Sequence, residues 1–164
     1  MKLGAYFAVV ILICVALFLV RARVGSGPLV TDGGFVSTND FPALIRALED
    51  TGTENSFWAV LVPGTHGADG YAANLQFSIE ANELGMDWVL LAESNRHLRD
   101  EFLTFCANEG LSVQALKRNG VKYVRATGAK TWPEIGEKLL FQLFGPDRTA
   151  SMQLIIAGFE WRHL

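Results

Sequence analysis

The chain has 164 residues, half of them hydrophobic, with 14 lysines and arginines against 17 aspartates and glutamates, for a net charge of −3. That length holds one compact domain and a short extra segment and excludes two ordinary domains. The acidic balance argues against nucleic acid as a partner, because a net acidic domain repels a polyanion.

The extra segment comes first. Residues 3–20, "LGAYFAVVILICVALFLV", carry neither charge nor proline. About 18 residues rising ~1.5 Å each reach ~27 Å, close to the hydrocarbon thickness of a bilayer. Residues 1–20 are therefore predicted to be a transmembrane anchor. A cleaved signal peptide would need a small-x-small site where Arg21 and Arg23 stand, and a lipid anchor would need a small residue before Cys14, which follows Ile13. Arg21 and Arg23 after the span outweigh Lys2 before it, so the soluble part is placed on the cytoplasmic side of a single-pass inner (cytoplasmic) membrane protein. With Cys14 in the span, Cys106 has no partner for a disulfide within the domain. Residues 21–39, rich in Gly, Ser, Thr and Asp, read as a flexible linker, and the folded domain is expected over residues 40–164.

Asn39 or Asp40 can cap a helix that has Pro42 in its first turn and Leu44, Ile45 and Leu48 on its apolar side. Residues 57–62, "FWAVLV", are apolar on both faces, as in a buried strand. The stretch 71–91 is ambiguous: its Ala, Leu, Gln and Glu favour helix, but eight residues from Asn74 to Ala81 alternate polar and apolar. Propensity differences reach only about 1 kcal/mol per residue, whereas turning a large apolar side chain out of a core costs about 1.5–3 kcal/mol. Alternation therefore predicts a strand, a turn at "NELG" and a second strand in "MDWVLLAES". A helix follows from Asn95 to Gly110, with Leu98, Phe102, Phe105 and Cys106 at helical spacing. Residues 112–126 form a hairpin around Asn119-Gly120. "WPEIGEKLLFQLFG" reads as a buried helix and residues 152–161 as a last strand. The fold class is α+β: an antiparallel sheet of five or six strands in the order α-β-β-β-α-β-β-α-β, preceded by one transmembrane helix. So few helices cover only one sheet face, leaving the other for a partner.

Charge is segregated along the chain. Residues 24–110 hold thirteen acids against Arg46, Arg96 and Arg99, whereas residues 111–133 hold Lys117, Arg118, Lys122, Arg125 and Lys130 and no acid. Lys117, Arg118, Lys122 and Arg125, gathered about one turn, are the candidate partner-binding residues; they could meet an acidic protein segment or anionic lipid, or pair with the acidic half of the same domain.

No catalytic, cofactor or metal site emerges. The loop "VPGTHGADG" brings His66 near Asp69 and could position a base, but no nucleophile stands in a recognised context. His66, His97 and His163 are far apart, and Cys106 beside Phe102 and Phe105 reads as a core residue. Trp58, Trp88, Trp132 and Trp161 read as core or rim aromatics. "LKRNGVKYVRATG" before a helix is similar to the last hairpin of thioredoxins, yet the Cys-x-x-Cys of that fold is missing. A degenerate thioredoxin-like or hydrolase-like enzyme built on the His66 loop is the alternative expectation.

"YAANLQFSIEA" with "DWVLLAESN", the helix "RHLRDEFLTFCANEGL" and "WPEIGEKLLFQLFG" with its trailing strand together resemble the type III secretion chaperone-like fold, shared by YbjN-type regulators and bacterial tyrosine-chaperone domains. The likeness runs over about residues 40–161 as an order of elements. It implies a non-enzymatic module, often a homodimer, that binds a client protein segment. The apolar N-terminus departs from those soluble chaperones and points to a membrane-tethered binding role.

Overall fold

The computed structural model describes residues 29–118 and 120–161. The expected anchor, residues 1–20, and the first part of the expected linker, residues 21–28, lie outside the described residues. No described helix is long and apolar enough to cross a membrane.

The alternating stretch is a strand. β3 (Asn74–Glu80) and β4 (Glu83–Val89) pair antiparallel through a turn whose two central residues, Ala81 and Asn82, have φ of 53° and 60°. The hairpin therefore turns two residues earlier than "NELG" implied. Two positive φ values are what a two-residue turn needs to match strand twist, and Glu54 accepts hydrogen bonds from both turn N–H groups at 3.2 Å.

The α+β class holds, with more elements than the sequence order gave. Among the described residues seven strands form one antiparallel sheet in the order β1-β7-β2-β3-β4-β6-β5, with β2 at Phe57–Leu61, β5 at Ser112–Arg118, β6 at Val121–Thr127 and β7 at Met152–Ala157. The additional strand, β1 (Val30–Val36), falls inside the stretch read as flexible linker, so the folded domain includes residues ahead of the start expected at residue 40. Its sparse apolar residues hid it: Val30 and Val36 are inward positions, and Gly33 and Gly34 form a bulge against β7 rather than a flexible break. A Cβ at Gly33 would lie 2.6 Å from Leu154 Cδ2, so the strand comes too close to β7 for any larger residue there.

Helix α1 (Phe41–Thr51) buries Phe41, Leu44, Ile45 and Leu48 and is entered through a capping box between Ser37 and Asp40. The helix expected from Asn95 to Gly110 breaks at Leu98 into α2 (Glu93–His97) and α3 (Arg99–Asn108). After α4 (Trp132–Phe144), Gly145 at φ 76° stops the helix, and one further turn, α5 (Pro146–Thr149), leads into β7.

α1, α3 and α4 supply Phe41, Leu44, Leu48, Phe102, Phe105, Leu139 and Leu140 to the main core, which they share with Trp58, Leu75, Phe77, Met86 and Trp88 of the sheet. Trp58 and Phe77 stack at 4.5 Å between ring centroids, and Phe41 and Trp132 meet that pair from α1 and α4. The other sheet face, expected to be open for a partner, is buried over β2 and β7, whereas Ser112 and Gln114 of β5 on that face are exposed. Phe57, Ala59, Leu61, Ala72, Ile155 and Ala157 form a second cluster there, each at most 5% exposed.

Gly136 sets how close α4 lies to the sheet: a Cβ there would fall 2.8 Å from Phe77 Cζ and 3.2 Å from the Phe41 ring. Gly136→Ala is expected to lower stability by about 1–3 kcal/mol through overpacking, although alanine is the better helix former. Urea unfolding followed by tryptophan fluorescence measures it.

Candidate functional site

The terminal hairpin sorts its cations by period two. Across β5 and β6, Lys117 pairs with Lys122, Ala115 with Val124 and Val113 with Ala126 on the helix-bearing face; Arg118, Tyr123 and Arg125 belong to the other. The four expected partner-binding residues therefore divide.

Arg125 is a correction. Its side chain is only 6% exposed and its guanidinium donates to Asp87 Oδ1 and Ser78 Oγ, both at 2.8 Å, and to the carbonyls of Ser78 and Glu83. Asp87 is fully buried, and its other oxygen accepts from Gln76 Nε2 at 3.0 Å and Ser78 Oγ at 2.5 Å. Burial pushes the Asp87 carboxyl up to about 6, against the opposing pull of Arg125 and Ser78. Arg118 is half engaged, donating to Asn55 at 2.8 Å and Glu80 at 3.1 Å with its side chain 39% exposed. Tyr123 donates its hydroxyl to the same Glu80, and burial with that neighbouring charge pushes it up to about 12.

Lys117 and Lys122 remain exposed and stand in no ion pair among the described residues. The break at Leu98 brings Arg96 from the end of α2 and Arg99 from the start of α3 to the same place. Together with Leu90, Ala115, Leu116, Tyr123 and Val124, these four cations line a groove of about 640 Å³. Arg96 pairs with Asp69 at 3.0 Å and Arg99 with Asp100 at 3.1 Å. The groove opens beside β5, which among the described strands is a sheet edge bonded only to β6 and where Ser112, Val113, Gln114, Ala115 and Lys117 are exposed. Basic side chains over an apolar floor can hold carboxylates while packing the intervening apolar groups.

Arg96 and Arg99 escaped sequence reasoning because they were counted with the acidic half of the chain. The division of the hairpin was legible: with Asn119-Gly120 as turn, Lys122 and Arg125 differ by three positions and so face opposite ways.

The His66 loop is built as a clamp. Residues 62–73 close through Val62 N–H to the Ala73 carbonyl at 2.9 Å, with the buried Thr65 hydroxyl bridging the neck. Asp69 accepts from the N–H groups of Tyr71 and Glu93 and from Arg96, while Glu93 accepts from Ala68 N–H. Partial desolvation raises the Asp69 carboxyl, and these hydrogen bonds more than offset it, leaving the group below its usual range. Its oxygens are thus committed to orienting α2 and Arg96 rather than to a base. His66 itself is exposed. Cys106 is buried, and desolvation pushes its thiol up to about 12, which suits a core residue. No group of three or more His, Cys, Asp or Glu is placed to hold a metal among the described residues.

Compared with known family models, curated proteins and solved structures, the chain matches none.

Because the folded Asp87 binds its proton more tightly than the unfolded one, between pH about 4 and about 6 the native state carries the extra proton. Asp87's contribution to stability is expected to be fullest below that window, to fall as pH rises through it and to level off above about 6; in Asp87→Asn that contribution disappears from urea-midpoint measurements. At neutral pH, Arg125→Leu should cost about 3–5 kcal/mol by stranding Asp87, whereas Lys117→Glu and Lys122→Glu should each stay within about 0.5 kcal/mol. Calorimetry of the three variants compares them directly.

Proposed function

We propose that this protein is a non-enzymatic binding module, chaperone-like or regulatory, that receives an acidic segment of a partner protein in the basic groove. The observation that carries this reading is the convergence of Arg96 and Arg99 from one pair of helices with Lys117 and Lys122 from the hairpin, on a groove at an exposed sheet edge. Among the described residues two of the four cations have no carboxylate of their own, so the groove is an incompletely neutralised site in an otherwise acidic chain. The resemblance to client-binding secretion chaperones favours the same class.

Strand order bears on which partner the groove meets. With residues 1–20 as a membrane anchor, Arg21–Leu29 is the whole tether before β1, which spans at most about 30 Å. β1 and β5 are opposite edges of the sheet, six strand spacings or about 29 Å apart at ~4.8 Å each. The first described strand and the groove thus lie at opposite edges of the sheet, which favours a protein segment over an anchoring bilayer. Lys117 on the free edge also works against edge pairing of two copies of the chain.

The test is fluorescence anisotropy of a labelled decapeptide alternating glutamate and threonine, measured with the full-length protein in nanodiscs. The double variant Lys117→Glu, Lys122→Glu should bind more than tenfold more weakly, while Arg46→Glu on exposed α1 should bind as the unaltered protein does. Binding should weaken between low and physiological salt as screening shortens the reach of the cations. Equal affinity in the double variant and the unaltered protein would exclude the groove.

A further inference from the structure

The groove and the loop of residues 62–73 share one arginine. Arg96 lines the groove, yet its guanidinium also donates to Asp69 Oδ2 at 3.0 Å and to the Leu91 carbonyl. Asp69 uses the same oxygen to accept from Glu93 N–H at 2.7 Å, the first residue of α2, and its other oxygen to accept from Tyr71 N–H at 3.1 Å. Glu93 returns the contact by accepting from Ala68 N–H at 2.7 Å. The fit is close as well as polar, for a Cβ at Gly67 would lie 2.6 Å from Glu93 Oε2. The loop is thus fastened to α2 by two carboxylates, and one of them holds a cation of the groove.

We propose that Asp69 is an internal competitor of the groove's ligand: it occupies Arg96 when the groove is empty, and an incoming carboxylate draws Arg96 away and loosens the loop from α2. This rests on the groove reading above. The physical case is that Arg96 is the one groove cation tied to a distant loop, whereas the carboxylate beside Arg99 is its own chain neighbour, Asp100, on an exposed helix start. A second carboxylate near Arg96 is repelled by the first, so ligand and Asp69 oppose one another. By linkage, whatever the closed loop takes from ligand affinity the ligand takes from loop closure. The rest of the loop's attachment is independent of the arginine, since Asn95 and Asn74 exchange side-chain to backbone hydrogen bonds of 2.7 and 2.9 Å at its end. Release is therefore confined to the segment around Asp69, with β3 left in place.

Asp69→Asn tests this by removing the charge: its one amide oxygen keeps either the Glu93 or the Tyr71 N–H contact, and the amide nitrogen faces the other. The same glutamate-threonine decapeptide is expected to bind this variant roughly three- to tenfold more tightly than the unaltered protein. In the unaltered protein, saturation with the peptide should speed hydrogen exchange at Ala68, Tyr71 and Glu93 N–H and leave Asn74 N–H protected. Unchanged or weaker binding by Asp69→Asn, or loop exchange that does not respond to saturation, overturns the competition while leaving the groove intact. Peptide affinity equal in the unaltered protein and the Lys117→Glu, Lys122→Glu variant overturns the groove reading and this inference with it.

Discussion

The buried ion pair of Asp87 and Arg125 fixes the part of the sheet on which the groove is built. It joins three adjacent strands: Ser78 and Gln76 from β3, Asp87 and the Glu83 carbonyl from β4, and Arg125 from β6. A pair so deeply desolvated adds little net stability, because the cost of taking both charges from water offsets their attraction. Its effect is on register. A one-residue slip of β6 against β4 would carry Arg125 into the aromatic core and leave Asp87 buried without its cation. Gly85 completes the arrangement, since a Cβ there would lie 2.5 Å from Arg125 Cζ, within the space that the guanidinium fills. The hairpin that presents Lys117 and Lys122 is thereby held at one height relative to α2 and α3.

The two sheet faces divide the labour. On the helix-bearing face, Trp58, Phe77, Phe41 and Trp132 interlock, and Trp88 stacks on Phe102 of α3 at 5.1 Å. The Trp88 indole also donates to the Asn95 carbonyl at 2.8 Å, so one side chain of β4 places both α2 and α3. Asn95 in turn ties α2 to the start of β3. The elbow between the two helices, from which Arg96 and Arg99 project, is thus fixed from the core side. The groove is rigid on its helical wall, its remaining freedom being in the lysine side chains and the loop that holds Asp69.

Most of the elements were legible because burial and period agree in them. Asn74–Glu80 alternates and is a strand despite its helical composition, since residues alternating across a sheet gain burial that propensity cannot match. β1 was hidden for the opposite reason: most of its residues are exposed, its glycines form a bulge, and what holds it is the ladder with β7, which local sequence does not show. The expected open sheet face is filled over β2 and β7, since counting helices does not reveal the cluster around Phe57 and Ile155. Of the candidate site, the hairpin and its lysines could be read from the Asn-Gly turn. Arg96 and Arg99 could not, because only packing of α2 and α3 beside β5 and β6 puts them there. Arg125 misled through its charge: a cation in a basic run invites a surface role, and its neutralising aspartate lies 38 residues away.

An acidic chain can present a basic groove only if its carboxylates are kept from neutralising it. Glu80 is spent on Arg118 and Tyr123, Asp87 on Arg125 and Glu109 on Lys138, none of them groove cations, while Asp100 meets its chain neighbour Arg99 at an exposed helix start. Asp69 differs in coming from a distance, reaching into the groove's set of cations from a loop twenty-seven residues earlier in the chain. The lysine pair sits outside all of these engagements, with two ammonium groups on directly opposed residues of the hairpin. Like charges so placed repel one another, and the sheet tolerates them because both are in water. An anion lying between them relieves that repulsion as well as adding its own attraction, so the hairpin tip favours an acidic ligand more than either lysine would alone.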